Sequence, residues 1–500
     1  MNLIRSSLVL LLGAVFSVAL TNRAGAWPRS APEAQGVSST ALLKFVEEAE
    51  EKIDALHSIM VVRHGQVIAE GWWAPYAADE PHQLFSLSKS FTSTAVGLAI
   101  ADGKLSVDDT VLSFFPDEAP AKPSANLRAM RVRDLLTMAT GQHNEDLQGF
   151  SYTSEESVVK KFLALPVTHK PGTFFVYNTA ATYMLSALVQ KATGQTVLDY
   201  LRPRLFEPLG ITHPAWEASK QGVSMGGFGL SIRTEDIARF GQLYLQRGQW
   251  EGKQLVPAAW VATATSRWMS NGSAPTSDWE QGYGFQFWRC RYGVIRGDGA
   301  HGQFCIVMPE HDTVVAITAG TRDLQGVLNV VWAHLLPVLQ ANALPADVAA
   351  QGKLHQKLAS LSLRQPAAVA TPALATSLAG RRYVFPRNPQ AIEALMLTPA
   401  AGKRPGAELT VKIGGAEERI KISGETWTRG ELTTGLVAGA VAWRGAWTAA
   451  DTFTLDVVRY QTPFAVRYRL RFAGSEVTFV TQPNLGPTSA VPPPLVGKRE

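Results

Sequence analysis

The sequence predicts a mixed α/β (α+β) protein: an antiparallel sheet flanked by helices, with a helical subdomain, followed by a small all-β domain. Three observations carry this. A strand–turn–strand pattern near residue 60 and three strand patterns between residues 283 and 318 bracket a long helical middle. The stretch Gln365-Pro366-Ala367-Ala368-Val369-Ala370-Thr371-Pro372-Ala373 reads as a linker. Beyond Leu378 apolar residues alternate at period two. Five hundred residues exceed one ordinary domain. The division expected is a leader at 1–26, a first domain at 35–340, a helix and linker at 341–377, and a β-rich barrel or sandwich at 378–490.

In chain order, residues 36–56 read as a helix, because Leu42, Phe45, Val46 and Ala49 recur at three- and four-residue spacing. Ile59, Val61 and Val67-Ile68 flank Arg63-His64-Gly65-Gln66, the signature of a hairpin. Ala95-Val96-Gly97-Leu98-Ala99-Ile100 continues a helix opened by Ser86. Residues 127–214 are mostly helical, punctuated by Pro171-Gly172-Thr173, and 216–230 is a glycine-rich loop. Helices are expected at 231–246 and 260–268. Tyr283 to Trp288, Phe304 to Met308 and Thr313 to Thr318 have strand character, and a helix from about Gly326 to Leu339 closes the domain. One sheet fed from both ends of the domain satisfies this order. In the second domain Leu409 to Ile413, Arg419 to Ile422, Phe453 to Val458 and Arg467 to Phe472 alternate as strands, and the tail from Pro492 reads as loose.

Composition narrows the function. Hydrophobic residues make up 46% and charged residues 18%, which describes a folded chain with ample core. The net charge is +5, but no basic cluster exceeds a dipeptide, which excludes a nucleic-acid surface. Arg5, the apolar stretch from Leu8 to Leu20 and Ala24-Gly25-Ala26 before Trp27 read as a cleaved leader, so export is expected; an uncleaved anchor is the alternative. No later segment is apolar enough to span a bilayer. The only cysteines are Cys290 and Cys305. Counting inward from both converges on Gly297-Asp298 as a hairpin turn, which sets the two opposite each other and permits a disulfide; two buried thiols are the alternative. No metal ligand set accompanies them.

The most informative stretch is Phe85-Ser86-Leu87-Ser88-Lys89-Ser90-Phe91. On a helix, positions i and i+3 share a face, so Lys89 can reach the Ser86 hydroxyl. Helix N-terminal amides favour a developing alkoxide. Together these activate a serine without a histidine. A second match, Ser157-Val158-Val159-Lys160, follows Thr153-Ser154-Glu155-Glu156 and reads as a capped helix start with a solvated lysine face. Three further segments favour Ser86, one of them Gly282-Tyr283-Gly284-Phe285, which precedes a strand and lets backbone approach closely. Tyr177 lies on a loop before another apolar helix, where a phenol beside a lysine can act as base. Gly297-Asp298-Gly299-Ala300-His301-Gly302-Gln303 lets backbone approach a ligand. Within it His301 and Gln303 are candidates for substrate contact, against the plainer reading as surface or filler. Tyr152 reads as packing or pocket lining, Trp72-Trp73 as core or pocket wall, and His82 and His143 as structural.

This order resembles the serine β-lactamase-like superfamily, which covers class C β-lactamases, D-alanyl-D-alanine peptidases, related esterases and 6-aminohexanoate-dimer hydrolases. The resemblance spans about 35–340. Besides Ser86-Leu87-Ser88-Lys89 it rests on Gly97-Leu98-Ala99-Ile100-Ala101-Asp102-Gly103-Lys104-Leu105-Ser106-Val107-Asp108-Asp109 and on Val132-Arg133-Asp134-Leu135-Leu136-Thr137-Met138-Ala139-Thr140-Gly141. It implies a β-lactamase-like sheet with Ser86 as acylated nucleophile and Lys89 as its proton partner. Tyr177 would be the base that also protonates the leaving group. The backbone amides of Ser86 and Ala300 would form the oxyanion hole.

Two departures matter. The family's Tyr-x-Asn stands here as Tyr177-Asn178-Thr179, which leaves Asn178 and Thr179 as candidates for substrate binding. The family's lysine-led third motif is replaced by Gly297-Asp298-Gly299, in which Gly299 would line the substrate and Asp298 would repel an anion. The expectation is therefore an exported serine hydrolase of a small-molecule ester or amide, needing no metal or organic cofactor. The alternatives are a peptidase or β-lactamase on cell-wall or β-lactam substrates, and a non-catalytic binder on a degenerate scaffold.

Overall fold

In the computed structural model, which describes residues 27–144, 152–400, 406–433, 437–485 and 491–500, the expected hairpin joins β1 (Leu56–Arg63) to β2 (Gln66–Trp72). His64 and Gly65 take φ of 48° and 72° at the turn, the left-handed pair whose twist suits a two-residue hairpin. β1 is buried along its whole length because it lies inside a sheet, with Ile59 opposite Ile317 and Val61 opposite Val315 of β6 (Thr313–Ala319). The remaining strands are β3 (Trp288–Arg289), β4 (Ile295–Gly299) and β5 (Gln303–Met308). The antiparallel order is β2-β1-β6-β5-β4-β3, so the sheet is indeed fed from both ends of the domain.

Helices cover both faces. On α1 (Ser39–Lys52) the spaced apolar residues Leu42, Phe45, Val46 and Ala49 are buried in one core with Ile59, Val61 and Val315. On the other face, α4 (Thr234–Leu245) approaches so closely that a Cβ on Gly241 would stand 2.5 Å from Val314 Cγ1 and 2.9 Å from Cys305 Sγ. Beyond α4, α2 (Ser88–Ala101) packs against α3 (Thr179–Thr193), and α2 is buried almost all round, as a central helix must be.

Two local expectations are corrected here. Tyr283 to Trp288 is not a strand: Gln286 takes φ of 66°, its amide donates to the carbonyls of Leu135 and Leu136, and only Trp288–Arg289 joins the sheet. The Cys290–Cys305 bridge is absent and both are free, buried thiols. The hairpin turns at 300–302 instead of at Gly297-Asp298, so Cys305 faces Gly297. Cys290 and Cys305 belong to different cores on opposite faces of the sheet. Burial pushes their thiols up, to about 11 and about 12.

The second domain is a ten-stranded antiparallel sheet: β7 (Arg382–Val384), β8 (Ile392–Pro399), β9 (Gly406–Ile413), β10 (Ala416–Ser423), β11 (Thr428–Leu432), β12 (Gly439–Ala449), β13 (Thr452–Val458), β14 (Ala465–Ala473), β15 (Glu476–Pro483) and β16 (Leu495–Arg499). Its order is β10-β9-β8-β7-β16-β15-β14-β13-β12-β11. The two ends curl toward each other, and the Trp443 indole N–H on β12 donates to Lys421 O on β10 at 2.8 Å, giving a barrel-like shape. The tail is not loose. β16 pairs with both β7 and β15, and a Cβ on Gly497 would lie 2.8 Å from the Phe385 ring.

The apolar segment Leu8 to Leu20, read as a leader, lies outside the described residues. Among the described residues no helix is long and apolar enough to cross a membrane.

Where the domains meet, a buried histidine pair sits under the second domain. His82 Nδ1 donates to Gln83 O at 3.0 Å, so its Nε2 accepts from His57 Nδ1, also at 3.0 Å. Tyr76 stacks on His57 with centroids 3.8 Å apart. Burial holds His57 well below the ordinary imidazole range and pushes His82 down to about 4. A neutral buried imidazole binds fewer protons than its unfolded counterpart between about pH 4 and 6.5, so stability rises with pH through that window. Relative to a His82→Gln variant, the wild type should lose about 3 kcal/mol of unfolding free energy between pH 7 and pH 4. Urea titrations at each pH measure this, and identical pH slopes in the two proteins would contradict it.

Candidate active site

Ser86 lies in a single 3-10 turn, Phe85–Leu87, that runs directly into α2. Phe85 takes φ of 50°, a left-handed conformation costing a non-glycine residue roughly 1–2 kcal/mol. The turn is held from both sides, since Ser88 Oγ donates to Phe85 O at 2.7 Å and accepts the Leu230 N–H at 3.2 Å. Ser90 Oγ donates to Gln286 O at 2.9 Å. Ser88 and Ser90 are fully buried, whereas Ser86 keeps part of its surface open. Burial thus leaves one accessible hydroxyl among three alternate serines.

One helical turn on, Lys89 is 1% exposed. Its Nζ donates to Ser86 Oγ at 3.1 Å, to Gly227 O at 2.8 Å and to Thr179 Oγ1 at 3.4 Å. Three oxygen acceptors therefore surround this buried nitrogen. A Cβ on Gly227 would fall 2.8 Å from Thr179 Cγ2 and 3.4 Å from Lys89 Nζ, so a bare backbone is what lets this carbonyl in. Lys89 Nζ also stands 4.9 Å from the centre of the Tyr177 ring.

The Tyr177 loop is anchored where Gly172 N donates to Ala139 O at 2.8 Å and Val176 N to Met138 O at 2.9 Å. The ring stacks on Trp288 of β3, with centroids 5.3 Å apart and planes at 23°. The edge facing the Ser86 turn is β4. A Cβ on Gly297 would lie 2.5 Å from Leu87 Cδ1, and one on Gly299 would lie 2.0 Å from Leu84 O. Two glycines on one face of the strand therefore let its backbone rest against the segment carrying Ser86. Ala300 follows at once, exposed, at the start of the turn.

The structure thus brings Ser86, Lys89, Tyr177 and Thr179 together beside the Gly299-Ala300 edge. Other candidates lie elsewhere. Asn178 is not a pocket residue: it caps α3, accepting the Ala181 N–H at 3.1 Å and donating to Gln142 Oε1 at 2.6 Å. Gln303 is fully buried and donates to Ala300 O and Ala319 O at 3.1 and 2.8 Å, which makes it a brace for the hairpin. Gly299 serves close packing. Asp298 faces away and accepts from Arg296 Nε at 2.9 Å, so its charge is neutralised and the expected repulsion of an anion is lost. His301 is half-buried at φ of 70°, and burial, with the Arg322 charge adding to it, holds its pKa below the ordinary value. Ser157 caps the helix Val158–Ala164 and donates to Glu118, as a structural residue would.

Gly227 and Trp288 were not legible as site residues. The segment 216–230 read only as a glycine-rich loop, and nothing in the sequence said what the Gly227 carbonyl approaches. Among the described residues no three His, Cys, Asp or Glu side chains gather as a metal site.

The beta-lactamase family model matches residues 47–330, more than half of the chain. Over 296 residues the chain is 26% identical to the 6-aminohexanoate-dimer hydrolase of Paenarthrobacter ureafaciens, covering 55% of this chain and 76% of that protein. It is 21% identical over 221 residues to a provisionally named D-alanyl-D-alanine carboxypeptidase of Escherichia coli K12, covering 39% of this chain and 51% of that protein. The chain therefore spans about half the length of this second relative. A solved structure from Bacteroides dorei DSM 17855, provisionally named a beta-lactamase, superposes with a TM-score of 0.51 at 18% identity, over 61% of this chain and 100% of that one. At that identity the likeness concerns the fold.

A Gly299→Ala substitution tests the close approach of β4. The added methyl meets the Leu84 carbonyl, so the variant should lose about 1–3 kcal/mol of stability and react more slowly at Ser86 with a serine-directed electrophile. Calorimetry and labelling kinetics read both, and a wild-type melting temperature with wild-type labelling would refute the account.

Proposed function

The chain belongs to the beta-lactamase family of serine hydrolases, and on that footing we propose that it cleaves an ester or amide through an acyl intermediate on Ser86. The observation that carries this reading is the 3.1 Å contact between Lys89 Nζ and the one accessible serine of the turn. In the proposed reaction Ser86 Oγ attacks the substrate carbonyl carbon while its proton passes to the Lys89–Tyr177 pair. The oxyanion that forms accepts the backbone amides of Ser86 and Ala300. Collapse breaks the bond to the leaving alcohol or amine, which takes a proton from Tyr177. Water then attacks the acyl carbon, its proton returns through the same pair, and Ser86 is released. Thr179 orients Lys89 in this scheme.

A second reading, a peptidase of carboxylate-bearing substrates, is favoured by the neutralised Asp298, whose charge no longer opposes an anion. A peptide assayed with a free and with an amidated C-terminus separates the two readings, since only the peptidase should prefer the free carboxylate. Export through cleavage before Trp27 is part of the proposal; Trp27 is buried edge-on against Trp250 at 5.8 Å, which suits a fixed mature start. N-terminal sequencing of the exported protein should begin at Trp27.

The hydrolase reading predicts that a fluorophosphonate labels the wild type and not Ser86→Ala. Lys89→Ala and Tyr177→Phe should each lower kcat/KM on p-nitrophenyl acetate by on the order of 10²–10⁴-fold. Labelling that persists in Ser86→Ala, or full turnover in both other variants, would overturn it.

A further inference from the structure

The second domain reaches the turn that carries Ser86. The turn between β13 and β14 carries Phe464, whose ring stands 6.1 Å from Phe85 and 5.7 Å from His301, edge-on to both. Phe85 and His301 meet at 5.1 Å, also edge-on, so three rings close a triangle. All three keep part of their surface open. Phe85 immediately precedes Ser86, and His301 immediately follows Ala300. Both take left-handed φ, 50° and 70°, which ordinary packing does not require of an aromatic residue. The residues flanking Ser86 and Ala300 thus meet ring to ring, and Phe464 packs against both.

Phe464 is fixed there by the segments that carry its two partners. Gln83 N, three residues before Ser86, donates to Gln461 O at 2.9 Å, and Tyr76 Oη donates to Thr462 O at 2.9 Å. Gln461 Nε2 donates to Glu80 Oε2 at 2.9 Å. On the other side Asn484 Nδ2 donates to Pro463 O at 2.8 Å and to Gly320 O at 3.3 Å, while Thr321 N donates to His301 O at 3.1 Å. A Cβ on Gly320 would sit 2.6 Å from Pro463 O, so the turn lies directly on the first domain. A ring held this firmly against the neighbours of Ser86 and Ala300, with surface still open, is placed to be touched by something besides them.

We propose that Phe464 of the second domain is a specificity-determining residue. With Phe85 and His301 it forms an aromatic corner of the substrate site that selects acyl groups carrying an aromatic or branched apolar substituent over small or charged ones. The proposal rests on the Ser86 hydrolase reading and assigns the β domain a share of the active site. A ring corner binds an apolar group by area and edge-to-face contact, and discriminates against a methyl because the smaller group leaves that surface uncovered.

The test compares p-nitrophenyl acetate with p-nitrophenyl phenylacetate, which share a leaving group and differ in the acyl part. The full-length wild type, Phe464→Ala and Phe464→Leu are assayed. In Phe464→Ala the ratio of kcat/KM for phenylacetate over acetate should fall about tenfold, and in Phe464→Leu by less. Ser86-dependent fluorophosphonate labelling should still be detected in both, which shows that the nucleophile is assembled. An unchanged ratio in variants that still label would overturn the proposal, as would an equal slowing of both esters, because Phe464 would then only hold the domains together. Should Phe464→Ala fail to fold, Phe464→Leu carries the comparison. A wild type showing no Ser86-dependent labelling removes the hydrolase reading itself, and that outcome is seen before any variant is assayed.

Discussion

Lys89 must be buried to reach Ser86, and a buried lysine nitrogen must be given partners, since an unsatisfied one costs several kcal/mol. Much of the first domain can be understood as meeting that requirement. The N-terminus of α3 brings Thr179, the glycine loop brings the Gly227 carbonyl, and the turn itself brings Ser86 Oγ. Each depends on something further out. Thr179 is placed because Asn178 caps α3, and Gly227 O arrives because no side chain blocks it. The strained Phe85 and the doubly bonded Ser88 hold the serine where the lysine can find it.

The other constraint is the approach of β4. Gly297 and Gly299 let a strand backbone lie against Leu84 and Leu87, on either side of the turn that carries Ser86. The opposite face of the same strand buries the Arg296–Asp298 pair, and the Arg296 guanidinium lies 5.5 Å from the ring of Trp288, on which Tyr177 stacks. One five-residue strand therefore adjoins the nucleophile on one face and supports the tyrosine's platform on the other.

Sequence reasoning reached the helix bearing Ser86 and Lys89, the loop of Tyr177, the two-ended sheet and the β-rich second domain, because hydrophobic period and local spacing carry that information. It misplaced what tertiary contacts decide. Asn178 reads equally as a ligand contact or as a helix cap, and only the Ala181 amide and Gln142 show which. The Cys290–Cys305 pairing assumed a symmetric hairpin, whereas a turn at 300–302 moved the register and put the two sulfurs in separate cores. Asp298 looked like an exposed charge because its partner, Arg296, is visible only once the strand's faces are known. The contribution of Phe464, distant by more than 370 positions from Ser86, had no local signature at all.

The central claim is that one serine becomes acylated, and direct observation of the acyl group tests it best. Wild-type enzyme turning over a p-nitrophenyl ester is quenched in acid, weighed intact by mass spectrometry and digested. The account predicts a mass increase equal to one acyl group, carried by the peptide containing Ser86. Turnover with the acyl group on another peptide, such as that of Ser157, would contradict it.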